Sequence, residues 1–213
     1  MGDFRRPGPT LTAKDQAEGA KEFGECLFNR RNDLVRQTLF AATRPAEEAA
    51  YAKLMSGSVQ CFGIVFSNDM VEERRINIPP DILRGMLAEA GLERSYEKAA
   101  ALQPLPLQQI YNRDWYAVTG RHVSVDEMGA CVADTNPAGV LALSRTKPTS
   151  AEENTAFGAL MGNFGKCLRA GVKLQASRPA LRAALAEALF QRLNAPTPAP
   201  TAATAPAVEA AKN

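Results

Sequence analysis

Near its end the chain places Leu181, Leu185, Ala188 and Leu189 at i, i+4, i+7 and i+8, the spacing of a single apolar stripe along a helix. Leu83, Leu87 and Ala90 set out the same stripe in the first half. Ser150-x-x-Glu153 has capping-box spacing, and the residues after it put Phe157, Leu160, Met161 and Phe164 on one face. Tyr51, Leu54 and Met55 form the matching face earlier in the chain. Pro137 suits the first turn of a short helix carrying Val140 and Leu141. The pattern therefore predicts a mainly α fold. Two stretches alternate instead, Arg75–Ile78 and Val172–Gln175, and read as short extended segments able to pair as a two-stranded β link.

The stripes belong to a larger internal repeat. Phe23-Gly24-Glu25-Cys26 returns as Met128-Gly129-Ala130-Cys131. Ala46-Glu47-Glu48 matches Ala151-Glu152-Glu153, twenty residues after each cysteine, and Leu54-Met55 matches Leu160-Met161. A second cysteine follows, Cys61 or Cys167. Last comes Leu83-Arg84-x-x-Leu87-Ala88-Glu89-Ala90 against Leu181-Arg182-x-x-Leu185-Ala186-Glu187-Ala188, six identities in eight positions. The first copy carries eight extra residues, placed within Phe66 to Arg75. The organisation expected is a disordered N-terminus (1–11), a helical module (12–95), a connector with one helix (96–122), a second helical module (123–194) and a disordered Ala/Pro-rich tail (195–213). In the connector, Leu107, Ile110, Tyr111, Trp115 and Val118 fall at helical spacing, with Gly120 as a C-cap.

Composition narrows the function classes. Thirty-seven alanines against nine phenylalanines favour helices over strands. A formal charge of +2 gives no electrostatic case for nucleic acid, and the basic doublets Arg5-Arg6, Arg30-Arg31 and Arg74-Arg75 lack interleaved stacking aromatics. No apolar run reaches the roughly 20 residues of a membrane span. Phosphate loops of the G-x-x-x-x-G-K or G-x-G-x-x-G kind are absent. With one histidine and no CxxC, a metal or other cofactor site is not expected.

If each copy is self-contained, the repeat selects the disulfides Cys26–Cys61 and Cys131–Cys167 out of three possible pairings. Four reduced cysteines buried as small hydrophobes are the alternative. Disulfides imply an oxidising compartment: the bacterial periplasm, the cell exterior or a secretory lumen. The chain shows no signal peptide, which fits a mature or truncated form, with its export signal removed or its start codon placed too late.

Candidate binding residues are Arg84 with Glu89 and Arg182 with Glu187, recurring on the striped helix, together with Trp115 and His122, the only residues of their types. Structural hydrogen bonding is the first reading of the Arg/Glu sets, and a ligand pair at a pseudo-two-fold axis the second. Glu47-Glu48 and Glu152-Glu153 are explained by the dipole at a helix start. His122 has Asp126 four residues on but no nucleophile signature. The pattern G-x-C, AEE, C, LRxxLAEA resembles small exported bacterial proteins that carry two-Cys helical modules and have no assigned activity. The resemblance covers about residues 20 to 193 and implies no catalytic residue. The expected function is non-enzymatic, through contact with a partner such as another protein. Two alternatives are a carrier enclosing an apolar ligand between the modules, lined by Trp115 and Met86, and an enzyme using Glu89, Glu187 or His122.

Overall fold

The computed structural model describes residues 12–61, 78–169, 171–172 and 174–195. In chain order its helices are α1 (Ala13–Arg30), α2 (Asn32–Leu39), α3 (Arg44–Ser56), α4 (Pro80–Arg94), α5 (Tyr96–Ala100), α6 (Tyr116–Thr119), α7 (Val123–Thr135), α8 (Pro137–Ser144), α9 (Ala151–Cys167) and α10 (Arg178–Asn194). No strand occurs among the described residues. Of the expected β link, Ile78, Val172, Leu174 and Gln175 are not strand, and 75–77 and Lys173 lie outside the described residues, as do 1–11, the inserted stretch 66–75 and 196–213.

Local chemistry sets the helix starts. Thr12, Thr43, Ser150 and Ser177 each accept a first-turn amide hydrogen bond on the side-chain oxygen, the ordinary solution for orphan N–H groups. Asn136 caps α8 in the same way, ahead of Pro137. The helices then follow one order in both halves. Helices α1, α2, α3 and α4 match α7, α8, α9 and α10, with the first cysteine of each half on the opening helix. Both disulfides are formed, Cys26–Cys61 and Cys131–Cys167, and the fold is helical and disulfide-stapled as expected.

The connector departs from its helical expectation. From Leu102 to Trp115 the chain is not helical; the connector holds only the short α5 before this stretch and α6 after it, the latter ended by Gly120 at φ 74°. Pro104 and Pro106 remove two amide donors. The Leu105 amide is spent on Asp134 O and the Gln108 amide on the Tyr111 hydroxyl. Leu107 and Ile110 are consequently 56% and 68% exposed.

Helices α4 and α10 form the centre, with residues 83–92 and 182–190 buried, Arg84, Glu89, Arg182 and Glu187 included. One continuous core runs from Phe23 and Leu27 through Leu83 and Leu87 to Met128, Leu185 and Phe190, so the two halves share an interior. The closest approach is at Gly85, where a Cβ would lie 2.2 Å from Ala183 Cα. Gly91 takes the Phe190 ring in the same manner. These two contacts require α4 and α10 to run in the same general direction. Residues 85 and 183 hold the same place in the repeated sequence pattern, so the crossing brings equivalent positions together. The glycine of each G-x-C motif serves a similar approach, Gly24 against Met86 and Gly129 against Ala184.

Gly85→Ala tests this crossing. Alanine gains about 1 kcal/mol of helix propensity, but overpacking against backbone costs about 3 kcal/mol. A net loss of about 2 kcal/mol in urea unfolding is expected. Gly158→Ala, on α9 with nothing within 4 Å, should gain up to about 1 kcal/mol. Equal responses at the two sites would contradict the crossing.

Candidate functional site

The charged residues singled out by the repeat meet at the α4–α10 seam, but they pair across the halves. Arg182 grips Glu89 with a planar fork, Nε to Oε1 at 2.6 Å and Nη2 to Oε2 at 2.9 Å. Arg84 donates to Glu187 through Nε at 3.1 Å and also through Nη2. Arg84 and Glu187 are completely buried, and Arg182 and Glu89 are 1% and 2% exposed. Charges so placed require partners on every side.

Those partners are Glu47 and Glu153, legible in the sequence only as helix-start acids, and backbone carbonyls that carried no signal. Arg84 also donates to Thr38 O (2.8 Å), Leu39 O (3.3 Å) and Glu47 Oε1 (3.4 Å). Arg182 also donates to Glu153 Oε1 (2.8 Å), Ser144 O (3.1 Å) and Thr146 O (2.8 Å). Each central arginine thus binds the opposite central glutamate, a glutamate of its own half, and carbonyls where α2 or α8 ends. Glu47 and Glu153 are buried, so the helix dipole alone does not account for them. They also show that the AEE motifs align one step off. The buried acid is the first glutamate of the pair in one half and the second in the other, while Glu48 and Glu152 face solvent.

The network differs between halves in one respect. Glu89 receives Lys21, at 3.3 Å. Glu187 receives Arg121, at 2.6 Å, and Arg121 is anchored by Asp126 at 2.7 Å. Lys21 and Asp126 are counterparts under the repeat, so opposite charges occupy one position. Thr119 donates to the second Asp126 oxygen at 2.6 Å.

His122 and Trp115 stand apart from this network. His122 is exposed and caps α7, accepting the Ser124 amide on Nδ1, and Asp126 is committed to Arg121. Trp115 is partly buried and stacks edge-on with Tyr116 at 4.6 Å beside Tyr111, Cys131 and Cys167. Met86 is buried against Gly24 of α1, whereas Trp115 packs with Tyr111, Cys131 and Cys167. Leu107, Tyr111, Glu127, Lys166 and the Cys131–Cys167 bridge line a depression of about 90 Å³. Drug-sized ligands need about 300 Å³ or more. No group of side chains that could hold a metal ion is found among the described residues.

Burial and ion pairing set the protonation behaviour. For Glu187, burial pushes the carboxyl upward, but Arg84 and Arg121 prevail and hold it below its ordinary 4.5. For Arg121, burial works against the charge, and Glu187 with Asp126 raises its pKa regardless. Asp126 is raised because burial outweighs Arg121 and Thr119, and burial likewise raises Asp134. The signs oppose each other. Between their ordinary and raised values the folded chain holds extra protons on Asp126 and Asp134, so acidification there favours folding. Below 4.5 the unfolded chain takes up protons that folded Glu187 refuses, so stability falls. Urea midpoints from pH 7 downward should hold or rise slightly until about pH 4.5 and then drop. A steady decline beginning near neutrality would contradict this assignment. Compared with known proteins, this chain has no matching family model, no matching curated protein and no matching solved structure.

Proposed function

We propose that the protein is a non-catalytic, duplicated helical scaffold that works in an oxidising compartment, the bacterial periplasm or cell exterior, by surface contact with a protein partner. One observation carries this reading. Both glutamates that were candidates for acid–base chemistry are buried and saturated by arginine or lysine, so neither offers a carboxylate to a substrate. His122 contributes a helix cap at the surface. The two disulfides support the compartment, because such bonds persist where thiols are not kept reduced. No helix among the described residues is long and apolar enough to cross a membrane.

Protein isolated from its own cellular compartment and alkylated before denaturation should show no free thiol by mass spectrometry. Four alkylated cysteines would overturn the compartment. In cells that depend on the protein, His122→Gln should leave function intact. Lost function in a natively folded His122→Gln protein would reinstate an acid–base role.

A further inference from the structure

We infer that the corner where α1 meets α2, together with the ends of α3 and α4, is a docking surface for an acidic segment of a partner protein. This rests on the scaffold reading above and names the chemistry of its partner.

Arg30, Arg31, Arg36, Lys53 and Arg94 gather there, and the acceptors they find are neutral. Arg30 donates to Gln60 Oε1 at 2.9 Å, Arg31 to Lys53 O at 3.3 Å, Arg36 to Asn194 Oδ1 at 3.3 Å and Arg94 to Asn29 Oδ1 at 2.9 Å. Among the described residues none of these cations has a carboxylate in ion-pair range. Between residues 26 and 36 the sole acid is Asp33, and Glu93 on α4 is taken by Arg145 at 3.5 Å.

Cations near helix C-termini have an ordinary explanation in the helix dipole. The repeat supplies the control for it, because the second half builds the same corner without them. There Arg30 and Arg31 are replaced by Thr135 and Asn136, Arg36 by Leu141 and Lys53 by Ala159. Arg94 does have a cationic counterpart, Arg192, which is paired with Asp134 at 3.6 Å. Asp134 is the counterpart of Asn29. One half neutralises its arginine with a carboxylate, and the other meets it with the neutral amide of Asn29. The fold thus does without this charge, and the first half concentrates and exposes it.

The apolar surroundings select a polypeptide over bare phosphate. Val59, next to Gln60, is 73% exposed, and Phe40 is 36% exposed beneath the Arg36 guanidinium, 5.1 Å from its ring. An acidic segment carrying an apolar side chain meets both features, and cations on a rim steer such a partner by charge.

The test uses the oxidised full chain and fluorescence anisotropy with a labelled peptide of about a dozen residues, mostly Glu and Asp with one Leu. Two variants import the second half's solution: Asn29→Asp, and Arg30→Thr with Lys53→Ala. Each should weaken binding about tenfold with an unchanged melting temperature. Lys147→Gln with Lys166→Gln alters the charge as much as the double variant, at sites elsewhere, and should leave binding unchanged. Equal weakening by that control, or no peptide binding at low salt, overturns the proposal. Tighter binding of a single-stranded DNA of equal charge overturns it in favour of a nucleic acid. Reduced cysteines in cells with this binding pattern intact would defeat the compartment reading and leave the docking surface standing.

Discussion

Arg84→Met is expected to lower the free energy of unfolding by about 3–5 kcal/mol, the usual cost of removing one partner from a buried ion network. Methionine fills much of the volume, so the loss is electrostatic. Glu187 keeps Arg121 and loses its second cation. Glu47 retains only Arg44, at 3.6 Å and half exposed. The carbonyl of Thr38 loses its side-chain donor, while that of Leu39 keeps the Gln191 amide at 2.7 Å. Arg84→Met combined with Glu187→Gln should cost clearly less than the sum of the single variants, because each single change strands the other's charge. Urea unfolding monitored by circular dichroism measures all three. A loss below about 1 kcal/mol for Arg84→Met would mean that solvent reaches the seam.

Removing Cys131–Cys167 by alanine substitution should cost about 4 kcal/mol, since the bridge closes 36 residues of chain. Cys26–Cys61 closes 35 and should cost the same. Cys131 is fully buried in contact with Tyr111 and Ala130, so its replacement also leaves a small void. Because the halves share one core, losing either bridge should lower the single unfolding midpoint of the whole chain. A variant that unfolds in two separated steps would show the halves to be independent.

Much of this architecture was legible in the chain. The repeat placed the helices and paired the cysteines, because a duplicated order of apolar stripes leaves few ways to bury them. It also marked Arg84, Glu89, Arg182 and Glu187, whose polarity conflicts with the stripe they sit in. Partner choice was not legible. Arg84 and Glu89 share a helix, and only the parallel approach at Gly85 and Ala183 shows that each arginine reaches the other half's glutamate. Arg121 and Lys21 carried no signal, since one lies in a connector and the other on an ordinary charged helix. Glu47 and Glu153 were readable as helix-start acids, and that reading hid their burial. The connector misled because Leu107, Ile110 and Trp115 have helical spacing, while two prolines and two diverted amides keep the segment open.

Amide hydrogen exchange on oxidised wild-type protein and Glu187→Gln tests the crosswise network most directly. Glu187 belongs to α10, but it holds Arg84 of α4 and Arg121 of the connector. The most protected amides of α4 and α10 should lose protection together, by the same free energy. Protection lost in α10 with α4 unchanged would contradict it.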